Sequence, residues 1–144
     1  MGLNCYLTKG FFDSPLHYEI AKMQVLLVDS SMLIMDRLEE MLSSIKSISA
    51  IEKAYTFSQA ITMFEKNKCD VVLLDIDLPR KESFKFLKHI KHVNCLTKVM
   101  ILSAQNDRFV QRQCRLMGAD FYFDKYHEFQ KIAEVINGIY SESV

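Results

Sequence analysis

The sequence predicts a doubly wound α/β fold, a five-stranded parallel sheet with helices on both faces. Two observations predict it. Short apolar runs alternate with longer amphipathic segments along the chain. Some of these runs, Val71-Val72-Leu73-Leu74 above all, are continuously apolar, as central strands covered on both faces require.

Strands are expected over 24–29 (QVLLVD), 50–57 (AIEKAYTF), 70–75 (DVVLLD), 98–103 (KVMILS) and 120–123 (DFYF). The first helix follows Ser31, a side chain suited to an N-cap, and repeats Ile34, Leu38, Met41, Leu42 and Ile45 at helical spacing. Ser58 is expected to cap the second, with Ile61 and Phe64 inward. The third sets Phe84, Leu87 and Ile90 inward and Lys85, Lys88 and Lys91 outward. The fourth runs from about 107 to 117 and stops at Gly118. The fifth gathers Phe129, Ile132, Val135, Ile136 and Ile139 on one face. Right-handed crossovers leave few topologies, and the flavodoxin-like strand order 2-1-3-4-5 is expected. In such sheets the site lies beyond the carboxyl ends of the strands, beside strands one and three.

The 144 residues suit one domain, read over 23–144, after an N-terminal extension over 1–22. That extension, with Pro15 and Phe11-Phe12, reads either as a loose terminus or as an arm packed on the domain or a neighbour. Eighteen basic and eighteen acidic residues cancel, which gives no electrostatic reason to expect nucleic acid or membrane as a partner. No apolar run is long enough to span a bilayer. The first residues do not read as a secretory signal, and Tyr6 stands where a myristoylation start at Gly2 needs Ser or Thr. A cytoplasmic location is expected. Cys5, Cys69, Cys95 and Cys114 form no C-x-x-C pair and no zinc spacing, and are expected to be free thiols.

The strand ends carry chemistry. Asp29 ends strand one, Asp75 strand three and Ser103 strand four, and Asp124-Lys125 follows strand five. On a parallel sheet these ends share one edge, so carboxylates, a hydroxyl and a lysine converge there. Such a set suits phosphoryl transfer to a carboxylate. Each residue alone has a plainer reading, as a turn or helix cap for the aspartates and as a surface group for Lys125. Their joint placement is what argues for a site.

In these motifs the chain resembles the receiver domains of bacterial two-component response regulators. VLLVDSSM is similar to their first strand and acidic turn, DVVLLDIDLP to the phosphoacceptor strand, VMILSAQ to the fourth strand and GADFYFDK to the fifth. The resemblance covers about 23–139, and GADFYFDKYHEFQKI is similar to members that consist of a receiver alone. It implies that Asp75 accepts a phosphoryl group from a sensor histidine kinase or a phosphotransfer protein. It also implies that Ser103 and Lys125 bind the phosphoryl oxygens, and that Tyr122 is an aromatic switch. Helix four, strand five and helix five would then signal to a separate downstream protein, the receiver being a monomer or weak homodimer. Mg2+ would be held by Asp29, Asp75 and the backbone carbonyl of Asp77. No turnover of a substrate is expected.

Three departures stand out. Ser30 takes the place of a second acid, which should weaken Mg2+ binding, with Asp77 as partial compensation. Many receivers have a Gly near Ser83, where the chain enters helix three, and Tyr126 stands where many have Pro. Ser30 favours an alternative, a degenerate receiver that binds partners without phosphorylation. Asp75-Ile76-Asp77 also resembles the DxD signature of haloacid-dehalogenase-like phosphohydrolases, but on the wrong strand. A flavin site would need a glycine in the DSSM turn.

Overall fold

The computed structural model describes residues 22–143, with side chains through 140. The reading of 1–22 therefore lies, apart from Lys22, outside the described residues. The elements are β1 (Met23–Val28), α1 (Met32–Ser43), β2 (Ile48–Ala54), α2 (Phe57–Lys66), β3 (Val71–Asp75), α3 (Arg80–Val93), β4 (Lys98–Ser103), α4 (Arg108–Leu116), β5 (Phe121–Asp124) and α5 (Phe129–Ser143). All strands are parallel, in the order β2-β1-β3-β4-β5, as the sequence predicts.

Successive side chains of a strand point to opposite faces, and the central strands are apolar on both. Leu26, Val28, Val72 and Leu74 pack on one face against Phe64 of α2, Phe86 of α3 and Val110 of α4. Val25, Leu27, Val71 and Leu73 pack on the other against Leu38 and Leu42 of α1 and Ile132 and Ile136 of α5. Each fully buried side chain of this kind contributes about 1.5–3 kcal/mol. Phe86 sits among aromatic neighbours, edge-to-face with Phe57 and Phe64 at centroid distances of 6.1 and 5.9 Å.

Ser31 caps α1, its hydroxyl accepting from the Ile34 N–H at 3.3 Å. The second helix starts differently from expectation. Thr56, not Ser58, is its cap: the Gln59 N–H donates to Thr56 Oγ1 at 3.1 Å, and the Tyr55 N–H donates to Gln59 Oε1 at 2.8 Å. This capping arrangement ends β2 at Ala54, short of 57. On α3 the inward set is Ser83, Phe86, Leu87 and Ile90, with Phe84 only partly buried. Lys91, expected outward, folds back to donate to the Thr97 carbonyl at 2.7 Å and to Asp120 Oδ2 at 2.6 Å. Gly118, at φ +104°, lets the chain pass this lysine after α4, since a Cβ there would lie 2.9 Å from Lys91 Cγ.

Charge is sorted between the faces. Helix α3 carries five Lys or Arg and α4 three, against one acid, Glu82. Helix α1, across the sheet, carries Asp36, Glu39 and Glu40 with Arg37.

Cys69 and Cys114 are free and buried. Cys95 is disulfide-bonded, which corrects the expectation of a free thiol there; spacing along the chain did not report proximity in space. Cys5 lies outside the described residues. Burial, with the Glu52 and Asp70 carboxylates, pushes the Cys69 thiol up to about 11; burial does the same for Cys114, also to about 11, against the opposing pull of Arg80. Iodoacetamide at pH 8 is therefore expected to leave both unmodified in the folded protein and to label both in denaturant, as peptide mapping would read; native labelling of either would contradict their burial. Among the described residues no helix is long and apolar enough to cross a membrane.

Candidate functional site

Parallel register brings the ends of β1, β3, β4 and β5 to one edge. Three side chains meet there. Lys125 Nζ lies 2.7 Å from Asp29 Oδ2 and 3.5 Å from Asp75 Oδ2. All three are buried, with Asp29 at 1%, Asp75 at 5% and Lys125 at 6% exposure. A single ammonium thus bridges two carboxylates, leaving one excess negative charge.

Each carboxylate is oriented by backbone. The Ser31 N–H donates to Asp29 Oδ1 at 2.8 Å, so the turn that caps α1 also aims Asp29. The Asp77 N–H donates to Asp75 Oδ1 at 3.0 Å, and the Ile76 N–H ties the end of β3 to the Leu102 carbonyl at 3.0 Å. Burial raises Asp75 above the usual carboxyl range; the Asp77 N–H opposes this and the Asp29 charge adds to it. Burial pulls Lys125 down, but the Asp29 and Asp75 carboxylates more than offset it and hold the lysine above its ordinary value.

Ser103 ends β4 at the same edge and is buried. Its hydroxyl donates to the Gln105 carbonyl at 2.7 Å and accepts from the Gln105 N–H at 3.2 Å. The Tyr122 hydroxyl donates to the same carbonyl at 3.2 Å. Burial of the half-covered ring raises the Tyr122 phenol, against the opposing pull of the nearby Ser103 hydroxyl. Ser103 and Tyr122 therefore share one acceptor.

Ser30 is exposed at the rim. The Asp77 carboxylate is engaged by Arg80, whose Nη2 lies 3.1 Å from Asp77 Oδ1. Among the described residues no three Asp, Glu, His or Cys side chains gather as a metal site. The remaining donor set still fits Mg2+, an ion held by one or two carboxylates, waters and phosphate oxygens. Asp29 Oδ2 is fully buried and already faces a cation, the Lys125 ammonium at 2.7 Å, so it is an acceptor suited to positive charge. The peptide bond before Tyr126 is trans, like every described bond.

Residues that the sequence reading did not place at this edge surround it. Ser83 is buried beneath Asp75, Gln105 supplies the shared carbonyl, and Arg80 holds Asp77. Asp124 accepts from the Tyr126 and His127 N–H groups at 2.8 and 3.2 Å, while Glu128 Oε1 accepts from the Asp124 N–H at 2.9 Å, pinning the turn after Lys125.

Residues 25–137 match the family described as response regulator receiver domain. Over 117 residues the chain is 26% identical to the Fimbriae Z protein of Escherichia coli (strain K12), covering 81% of this chain and 56% of that protein. Over 103 residues it is 31% identical to the protein-glutamate methylesterase/protein-glutamine glutaminase of Treponema pallidum (strain Nichols), covering 70% of this chain and 26% of that one. The chain spans about half the length, or less, of these curated relatives. A solved response regulator receiver domain protein (CheY-like) from Methanospirillum hungatei JF-1 superposes with a TM-score of 0.76 at 21% identity, covering 85% of this chain and 96% of that one. At that identity the likeness is one of fold.

Proposed function

The chain belongs to the response regulator receiver domain family, and from that premise we propose that it is a phosphorylation-operated switch with Asp75 as acceptor. The observation that carries this reading is the buried bridge of Lys125 between Asp29 and Asp75. A carboxylate of Asp75 attacks the phosphorus of a phosphohistidine on a sensor kinase or phosphotransfer protein. The P–O bond forms as the P–N bond breaks, and the imidazole leaves with its electron pair. The Asp77 N–H fixes the carboxylate's rotation during attack. Lys125 follows the charge onto the phosphoryl oxygens. Asp29, Asp75 and the Asp77 carbonyl would hold Mg2+, which supplies charge neutralisation to the transferring group.

The output follows from the shared carbonyl. A phosphoryl oxygen draws the Ser103 hydroxyl away from Gln105, the Tyr122 hydroxyl loses its companion, and the ring turns inward. The face of α4, β5 and α5 then changes its affinity for a downstream partner. A cytoplasmic location, and a monomer or weak homodimer, fit this role.

Intact mass after incubation with acetyl phosphate and Mg2+ tests the reading, and one added phosphoryl group is expected. Ser30 favours a second reading, a receiver that signals without phosphorylation. No adduct, beside a receiver that labels under the same conditions, would establish that one. Because Ser30 contributes no charge, Ser30→Asp is expected to tighten Mg2+ binding by roughly tenfold, measured by tyrosine fluorescence titration. Equal affinity in the two proteins would remove position 30 from the metal site.

A further inference from the structure

Ser83 lies on the first turn of α3, 1% exposed, directly behind the acceptor strand. Its hydroxyl donates to the backbone carbonyl of Asp75 at 2.7 Å. The Leu78 N–H donates in turn to the Ser83 hydroxyl oxygen at 3.4 Å. One buried side chain thus holds both ends of the arch that carries Ile76 and Asp77. The Ser83 N–H is itself tied to the Pro79 carbonyl at 3.0 Å, so the oxygen is fixed to the helix rather than to a mobile loop. A glycine, of the kind the resemblance places near this position, has no atom that could do this.

The arch matters because of what it presents. Its Asp77 N–H fixes the Asp75 carboxylate at 3.0 Å, and its Asp77 carbonyl is the neutral member of the proposed metal set. With serine at position 30, two carboxylates remain to hold the ion, so the placement of the third donor weighs more. We propose that Ser83 is a positioning residue, whose hydroxyl clamps the 75–78 arch so that the acceptor carboxylate and the Asp77 carbonyl are presented together to Mg2+. This rests on the phosphotransfer reading above, and it assigns to a side chain a task that loop geometry alone leaves undefined.

Calorimetric titration of the full chain with Mg2+ tests it. Ser83→Ala is expected to raise the Mg2+ Kd by ~10-fold, the scale of lost outer-shell support. Ser83→Thr, which keeps the hydroxyl, is expected to restore most of the affinity. An unchanged Kd in Ser83→Ala would overturn the proposal, as would an equal loss in Ser83→Thr. Should Ser83→Ala not fold, hydrogen exchange on the wild type carries the test: the Leu78 amide is expected to be protected, and more so with Mg2+, and an unprotected amide overturns the clamp. Acetyl phosphate labelling separates the two readings. A wild type that binds Mg2+ without taking phosphoryl ends the phosphotransfer reading, while the Kd values still decide the clamp. A wild type that takes phosphoryl, with an unchanged Kd in Ser83→Ala, ends the clamp alone. A wild type that gives no Mg2+ binding overturns both the metal reading and the clamp.

Discussion

Asp75→Asn is expected to abolish phosphoryl uptake and, at the same time, to make the protein more stable. The first effect follows from the chemistry: an amide is not a nucleophile toward phosphorus, and no adduct should appear in the intact mass after acetyl phosphate treatment. The second follows from the environment. Burial raises Asp75 above its ordinary value, and Asp29 adds to the rise. A carboxyl whose folded-state value exceeds its unfolded one holds an extra proton in the fold between the two values, so stability falls as pH rises through that window. At pH 7 the buried Asp75 carboxyl is therefore a cost, and a neutral isostere removes it. The gain should be about 1 kcal/mol, the usual scale of stabilising replacements, or about 4 °C in Tm. It should shrink on acidification and be gone below the unfolded carboxyl value near ~3.9. A lower Tm in Asp75→Asn at pH 7 would show that the pocket favours the charge. An adduct surviving the substitution would move the acceptor elsewhere.

Lys125→Met is expected to be the most destabilising single change at the site. Asp29 and Asp75 would share a buried pocket with no cation between them, a loss of about 3–5 kcal/mol. The urea midpoint should fall accordingly. Asp29→Asn in the same chain should recover much of it, because one of the two stranded charges is gone; purely additive effects would argue against the bridge. The wild type should show the matching pH dependence. Lys125 is held above its ordinary value by the two carboxylates. Its contribution is complete below the unfolded lysine value near ~10.4 and is lost as pH rises through the folded one, so alkaline unfolding should be weaker in Lys125→Met than in the wild type.

What was legible in the sequence was whatever repeats along the chain. The apolar runs of β1, β3 and β4 identified the sheet, and the acids and hydroxyl at their ends the edge where Asp29, Asp75 and Lys125 meet. Ser31 and Gly118 marked helix ends through local chemistry. The errors lie where contacts between distant residues decide. Edge strand β2 is only partly buried and carries no clean alternation, so its end was misplaced until the Thr56 cap defined it. Phe84, Phe86 and Leu87 offer two inward registers, and packing against Phe57 and Phe64 selects Phe86. Lys91 turns inward because Asp120 lies beside it in space, though 29 residues away in sequence. The hydroxyl of Ser83 had no partner in any local pattern; its partner is a backbone carbonyl.

The sorting of charge between the faces has a kinetic consequence. A chain whose charges sum to zero has no monopole to draw a partner in from afar. With cations gathered on α3 and α4 and acids on α1 across the sheet, it has a dipole moment. In the field of a charged partner such a molecule experiences a torque before it experiences a pull. It arrives already turned, so electrostatics governs the fraction of collisions that are productive more than their number, and added salt acts by loosening that alignment.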